Sequence, residues 1–241
     1  MPSILLKSPA KINLALDILG KDEKKHFVNT ILYKLDDLFD EMELKPLPEK
    51  KNVIHCSLEI QDNLILKALD LLHLTGWEIT LRKNIPLQSG LGGASSNAGT
   101  ILRYFGTILR IPEHELLDLG KSIGSDVPFF ILEENLAYFE GYGDQLTQRW
   151  NIRPLKISII NTGIQVSTRQ AYDRLDEKDL GGNSGLSEAM ISCLQNPKDF
   201  DLRGLIPHVH NDFEPSFFRK FPEWKGKGHL CGSGGFFWNT L

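Results

Sequence analysis

The sequence predicts an α+β chain of two lobes, and three observations carry that prediction. Apolar residues alternate with period 2 in several short runs, and they recur at helical spacing in others. Between these stretches, Trp150-Asn151-Ile152-Arg153-Pro154 marks a boundary, so the expected domains are residues 1–150 and 151–241.

The elements follow in chain order. Ile12, Leu14, Leu16 and Ile18 read as a half-buried strand, Ile31, Tyr33 and Leu35 as a second, and Met42 with Leu44 as a third. Lys45-Pro46-Leu47-Pro48-Glu49-Lys50-Lys51 is an exposed turn, because its prolines lack N–H donors and its lysines favour water. Asp62-Asn63 caps a helix through Leu74, with Leu64, Ala68, Leu71 and Leu72 on one face. Trp77, Ile79 and Leu81 form a strand that Ile85-Pro86 breaks. Ser95 to Leu109 is a helix with Ala98, Ile101, Leu102, Phe105 and Leu109 inward. Ile111-Pro112-Glu113 opens another helix, which ends near Gly124. Ala137-Tyr138-Phe139 is extended and leads into a turn at Gly141-Tyr142-Gly143-Asp144.

In the second lobe, Lys156 to Ile160 is a strand and Ser167-Thr168 caps a helix through Leu175. Asp179 to Gly185 reads as a mobile loop. Two helical stretches then precede a turn and strand over Gly226 to Trp238. If that strand pairs centrally the small lobe is complete; otherwise its apolar end packs on a partner subunit.

Composition narrows the function classes. The 241 residues carry a net charge of −4 and are 41% hydrophobic and 24% charged, which suits a packed core and excludes wholesale disorder. The mild acidity argues against nucleic-acid binding by bulk charge. No run approaches ~20 apolar residues, and Met1 to Lys7 lacks the apolar core of a signal peptide. Cys56, Cys193 and Cys231 form no C-x-x-C pair, so neither a disulfide framework nor structural zinc is expected. His208-Val209-His210 reads as a loop feature rather than a metal site. These observations predict a soluble cytoplasmic protein, with oligomeric state left open between monomer and homodimer.

The strongest chemical signal is Pro86-Leu87-Gln88-Ser89-Gly90-Leu91-Gly92-Gly93-Ala94-Ser95-Ser96-Asn97, set between a strand and a helix. Gly90, Gly92 and Gly93 allow positive φ and close approach of backbone to a ligand. The following helix offers unpaired N–H groups and a positive dipole end, which suit phosphate. Ser95 and Ser96 add hydroxyls for phosphate or a Mg²⁺-bound oxygen. Neither the P-loop ending nor the dinucleotide spacing is present, and a plain turn with a serine cap is the competing reading.

In this setting the chain resembles the GHMP kinases. Ser8-Pro9-Ala10-Lys11-Ile12-Asn13-Leu14 looks like their first motif, Pro86 to Asn97 their second, and Cys231-Gly232-Ser233-Gly234-Gly235 their third. Further similarity lies at His26, at Asp62-Asn63-Leu64-Ile65 and at Gly124-Ser125-Asp126-Val127-Pro128-Phe129-Phe130. The resemblance implies an N-terminal lobe like domain 2 of ribosomal protein S5 and a ferredoxin-like C-terminal lobe. It also implies ATP- and Mg²⁺-dependent phosphorylation of a small alcohol, with these motifs fitting the branch that acts on a cytidine-diphosphate-linked methylerythritol. Asp126 would be the general base and Lys11 the cation near the developing alkoxide. Asn63 and Lys83 would face adenine, Lys83 mainly through backbone. Pro86, Gln88, Ser89, Gly90, Leu91, Gly92, Gly93, Ala94, Ser95 and Ser96 would hold the phosphates, with Ala94 tolerable only at negative φ. Asn13, His26 and Thr168 would contact the acceptor. The third motif would press on the phosphate loop.

The bland alternatives are a solvated Lys11, an Asp126 that caps the next segment, and an Asn63 that caps its own helix. Lys25 stands where the family has a cytosine-stacking tyrosine; Phe27 or Tyr33 would have to substitute, or cytidine affinity would fall. The rival functions are a homoserine or mevalonate type of kinase and a nucleotide-binding module that has lost catalysis.

Overall fold

In the computed structural model, residues 3–23, 25–58, 63–195 and 202–241 are described, 202 and 203 by backbone alone. The chain is α+β and forms two compact units interleaved in sequence, because its first two strands each contribute to both. The strands are β1 (Ile4–Lys21) and β2 (His26–Pro46).

One unit comprises Met1–Ala10, Asp36–Leu87 and Gly92–Glu133. It holds β3 (Val53–Cys56), α1 (Leu64–Leu71), β4 (Trp77–Arg82), α2 (Gly93–Leu109), α3 (Glu113–Ile123) and α4 (Val127–Ile131). β4 pairs antiparallel with the end of β2, Met42 opposite Leu81, and parallel with β3. Met42, Leu44, Ile79 and Leu81 meet Ile65 and Leu69 of α1 and Ala98, Ile101 and Phe105 of α2 in one core. The apolar stripe predicted for α2 is buried except at its end. There the chain turns at Arg110 (φ 57), and Leu109 stays 46% exposed. Asn63 caps α1 by accepting the Ile65 N–H at 3.0 Å; Asp62 lies outside the described residues.

The other unit comprises Lys11–Leu35, Gln88–Leu91 and Glu134–Leu241. β5 (Leu136–Glu140) pairs antiparallel with β2 through Thr30 to Tyr33, and β6 (Gln145–Trp150) pairs with β5. After β7 (Ile157–Asn161) come α5 (Thr168–Tyr172), α6 (Ser184–Leu194), α7 (Leu202–Leu205), β8 (His210–Asn211), α8 (Glu214–Lys220), β9 (His229–Leu230) and β10 (Phe236–Thr240). β8 pairs parallel with β1, and a separate three-stranded sheet runs β7-β10-β9. β10 is therefore central, the first of the two outcomes expected for the final strand, and Trp238 on it is 1% exposed. Leu16, Ile18, Val166, Phe213, Phe217 and Phe237 form the core of this unit.

Four expectations are corrected. The helix expected from Asn63 through Leu74 ends at Leu71, and Leu71, placed on its apolar face, is 36% exposed. The strands read separately at 31–35 and 42–44 are one strand, β2, since exposed Asp36 and Asp37 interrupt the apolar pattern without interrupting the backbone. The helix expected from Ser167-Thr168 to Leu175 stops at Tyr172, although Ser167 caps it with Gln170 in a reciprocal box. The loop at Asp179–Gly185 is not loose along its length. Asp179 is buried, ends a 3₁₀ turn and takes two bonds from Arg219, at 2.8 and 2.5 Å, and Ser184 already begins α6.

Candidate functional site

The phosphate-loop candidate consists mostly of backbone. Gly90 and Gly92 have φ of 76° and 73°, as the turn requires, and Gln88 shares that left-handed region at 53°. Gly93 does not, so of the two roles expected for these glycines, positive φ and the absence of a Cβ, only the second applies to it. A Cβ on Gly93 would stand 2.9 Å from the Lys83 ammonium and 3.1 Å from Ile85 Cγ2, so here glycine makes room. Ala94 lies inside α2 and outside the positive-φ set, so its methyl group is accommodated.

Helix α2 begins directly after Gly92 and runs for 17 residues, so its first turn presents N–H groups and a dipole. Ser95 is half-buried on that turn. Ser96 is fully buried and donates its hydroxyl to the Pro9 carbonyl at 2.6 Å, so it ties α2 to β1 rather than facing a ligand. Ser89 is buried, and its hydroxyl oxygen accepts the Leu91 N–H at 3.3 Å; Pro86, Leu87 and Gln88 are exposed.

Lys83 carries a surprise. Its ammonium pairs with Asp40, and the Asp40 carboxylate also accepts the Asn84 and Ile85 N–H groups, both at 2.8 Å. The two side chains are 4% and 0% exposed. A cation buried beside the first residue of α2 opposes the helix dipole, and the carboxylate offsets that cost. Asp40 gave no signal in sequence, since 43 residues separate it from Lys83.

Asp126 directly precedes α4, which packs closely on α2. A Cβ on Gly99 would come within 2.6 Å of Phe130 Cβ and 2.9 Å of the Val127 carbonyl. Asp126 makes no capping bond to α4, so the capping alternative fails.

Lys11 is 3% exposed, which removes the solvated alternative, and its ammonium donates to Asn13 Oδ1 at 2.7 Å. Asn13 Nδ2 donates to Thr30 Oγ1 at 2.8 Å, and that hydroxyl donates to the Ala15 carbonyl at 2.8 Å. The Lys11 N–H donates to the Leu91 carbonyl at 3.0 Å. The third motif lies against the same place: a Cβ on Gly90 would sit 1.7 Å from the Cys231 carbonyl oxygen, and one on Gly232 3.5 Å from Asn13 Oδ1. Lys11, Asn13, Gly90, Leu91 and Gly232 therefore converge. Burial pushes the Cys231 thiol well up, which leaves it a neutral packing group.

His26 stacks on Tyr172 with ring centroids 4.1 Å apart and planes 17° apart. Burial, then the Lys21 charge, moves its pKa below the ordinary imidazole value. Strand alternation turns Lys25 and Phe27 to the opposite face, where both meet Tyr142, Phe27 at 5.4 Å between centroids. Tyr33 is 1% exposed and its hydroxyl accepts the Leu155 N–H at 2.9 Å. Neither Phe27 nor Tyr33 thus shares the His26 face; Tyr172, missed in sequence, does. Thr168 Oγ1 stands 3.1 Å from Ser233 Oγ of the third motif.

The model of the GHMP kinases N terminal domain matches residues 63–134, which run from the α1 cap past Asp126. Two relatives, from Syntrophus aciditrophicus and Pseudothermotoga lettingae, carry the name 4-diphosphocytidyl-2-C-methyl-D-erythritol kinase. The first is 33% identical over 94% of this chain and 82% of its own length, the second 38% over 92% and 83%. The chain belongs to the 4-diphosphocytidyl-2-C-methyl-D-erythritol kinase family. A crystal structure of a 4-(cytidine 5'-diphospho)-2C-methyl-D-erythritol kinase superposes with a TM-score of 0.80 at 27% identity, covering 99% of this chain and 90% of that one. The fold is that of the GHMP kinases, and membership makes the chain an ATP-dependent kinase. Among the described residues no helix is long and apolar enough to cross a membrane.

Proposed function

We propose that the chain transfers the γ-phosphoryl group of ATP to the 2-hydroxyl of 4-diphosphocytidyl-2-C-methyl-D-erythritol, a cytoplasmic step of the non-mevalonate route to isoprenoid precursors. The observation that carries this reading is the match of nearly the whole chain to kinases of that name, at 33% and 38% identity. Homoserine and mevalonate kinase activities and a catalytically dead module are the readings it displaces. Along the sequence, residues 1–150 are assigned as the ATP-binding domain and 151–241 as the second domain, although the second compact unit also takes in Lys11–Leu35, Gln88–Leu91 and residues 134–150.

Gly90, Leu91, Gly92, Gly93, Ala94 and Ser95 cradle the triphosphate, with Pro86, Gln88 and Ser89 shaping the approach to α2. Asn63 offers its amide N–H to adenine, since its oxygen is engaged by the helix cap. Lys83 serves adenine through its backbone. Mg²⁺ comes with the phosphates, because it favours phosphate and water oxygens, and the half-buried Ser95 hydroxyl on the first turn of α2 is an oxygen donor of suitable kind. When bound, it neutralises phosphate charge.

Asp126 takes the proton from the acceptor hydroxyl during transfer. An alcohol is too weak an acid to ionise beforehand, so proton removal and attack proceed together. Lys11, steadied by Asn13, stabilises the oxygen as its negative charge grows. His26 and Tyr172 offer aromatic surface to cytosine, while Asn13 and Thr168 offer polar contacts.

Steady-state kinetics of Asp126→Asn test the assignment. We expect kcat to fall ~10²–10⁴-fold with KM for ATP near wild type, the signature of a lost general base. Wild-type turnover by a folded Asp126→Asn chain would remove that residue from the mechanism.

A further inference from the structure

Among the features that the phosphoryl-transfer reading does not use is the segment His208–Asn211, of which His208-Val209-His210 reads from sequence as a loop. It contains β8, a strand of only two residues whose pairing is Ala15 with His210 and Leu16 with Asn211. The Asp212 N–H continues the pairing to the Leu16 carbonyl at 3.0 Å, and side chains add to this anchorage. His210 Nε2 lies 2.8 Å from Asp17 Oδ1, and its Nδ1 lies 2.8 Å from the His208 carbonyl. Ser187 donates to the other Asp17 oxygen at 2.5 Å. Asp212 accepts the Ile18 N–H and the Asn183 amide, both at 2.8 Å. Burial disfavours the His210 cation, yet the bonds to Asp17 and the His208 carbonyl, with the charges of Asp17 and Asp212, outweigh it and move its pKa upward. β8 is thus bolted to β1, which also carries Lys11 and Asn13.

From this fixed strand Asn211 reaches the third motif. Its side chain is 3% exposed, and Nδ2 donates to the Gly232 carbonyl at 2.8 Å and to the Leu230 carbonyl at 3.2 Å. Oδ1 accepts the Phe213 N–H at 3.0 Å. These partners fix the amide orientation, because the flipped form would face carbonyls with an oxygen. At the other end of the loop, Thr162 donates its hydroxyl to the Gly235 carbonyl at 2.7 Å and accepts the Ile164 N–H at 3.0 Å. The segment so gripped contains Gly232, Gly234 and Gly235 with φ of 59°, 123° and 90°. Three such residues within four positions leave a chain with high conformational entropy when nothing restrains it.

We infer that Asn211 and Thr162 are positioning residues that clamp the Cys231–Gly235 loop from its two ends and hold it against Gly90 of the phosphate loop. The inference rests on the reading of residues 88–97 as that loop. Neither side chain acts on the reacting atoms. Their effect passes through the Cys231 carbonyl, which lies where any side chain at position 90 would have to go.

The test uses Asn211→Leu and Thr162→Val in the full chain, with amide hydrogen exchange and steady-state kinetics as paired readouts. Exchange at Gly232–Gly235 should quicken ~10-fold or more in Asn211→Leu, while β7 and β10 keep their protection, because two buried carbonyls lose their donor. With ATP and the cytidyl alcohol, kcat/KM should fall about 10-fold or more in Asn211→Leu and about 3-fold in Thr162→Val. Should Asn211→Leu not fold, the milder Thr162→Val carries both readouts. Unchanged exchange at the loop, or faster exchange with kcat/KM within about twofold of wild type, overturns the proposal. The exchange measurement needs no substrate, so a failed clamp is distinguishable from a failed assignment of the reaction.

Discussion

The phosphate-loop region and the His26 region are made in different ways. Around residues 88–97 the groups proposed to meet phosphate belong to the backbone: two glycines at positive φ lead into the N-terminus of α2, all within one short stretch of chain. Around His26 the groups proposed to meet the acceptor are side chains brought together from afar, as when Tyr172 of α5 lies on a ring 146 positions earlier. A backbone site tolerates little change of geometry and is written locally. A side-chain site depends on tertiary packing, and exchanging one residue alters its affinity without undoing its shape.

The sharpest way to break this contrast is Gly90→Ala. It combines left-handed strain with a methyl group 1.7 Å from a backbone oxygen. We expect a loss of about 4 kcal/mol or more in urea unfolding, with KM for ATP rising in whatever folds. A near-wild-type midpoint would mean that the loop is not held against Cys231. Next comes Asp40→Asn, which leaves the Lys83 ammonium buried without its counter-charge beside α2. Denaturation should show about 3 kcal/mol of destabilisation at unchanged m-value; a change below about 1 kcal/mol would class the pair with exposed salt bridges. Smallest is Tyr172→Leu. KM for the cytidyl alcohol should rise ~5–100-fold, the worth of one stacking face, with KM for ATP unaltered. Phe27→Ala serves as its control, since Phe27 packs on Tyr142. If it raises that KM as much as Tyr172→Leu does, the face has been assigned wrongly.

How far the sequence could be read follows the same divide. The strand at Trp77–Arg82, the helix over 113–123 and the caps at Asn63 and Ser167 were legible, because each depends on residues within a turn of one another. So was the glycine turn that leads into α2. β2 looked like two strands, since Asp36 and Asp37 sit mid-strand where only pairing with distant residues keeps the backbone extended. Which of its two expected roles Gly93 plays was not legible, because spacing cannot separate a glycine needed for φ from one needed for space; Lys83 and Ile85 decide that. β6 went unseen, as its polar residues outnumber apolar ones and it presents half of itself to water. Asp40, Tyr172 and Asn211 left no local trace, and each acts on a partner far from it or through a carbonyl that any residue would supply.

The central claim is that this chain phosphorylates a cytidine-linked alcohol, and ADP release by the purified protein tests it most directly. ATP is supplied with 4-diphosphocytidyl-2-C-methyl-D-erythritol, homoserine or mevalonate in turn. We predict turnover with the first at a kcat/KM at least ~10³-fold above the other two, as expected where buried polar groups read the acceptor. Preference for homoserine or mevalonate, or ATP binding with no turnover of any of the three, would contradict the account.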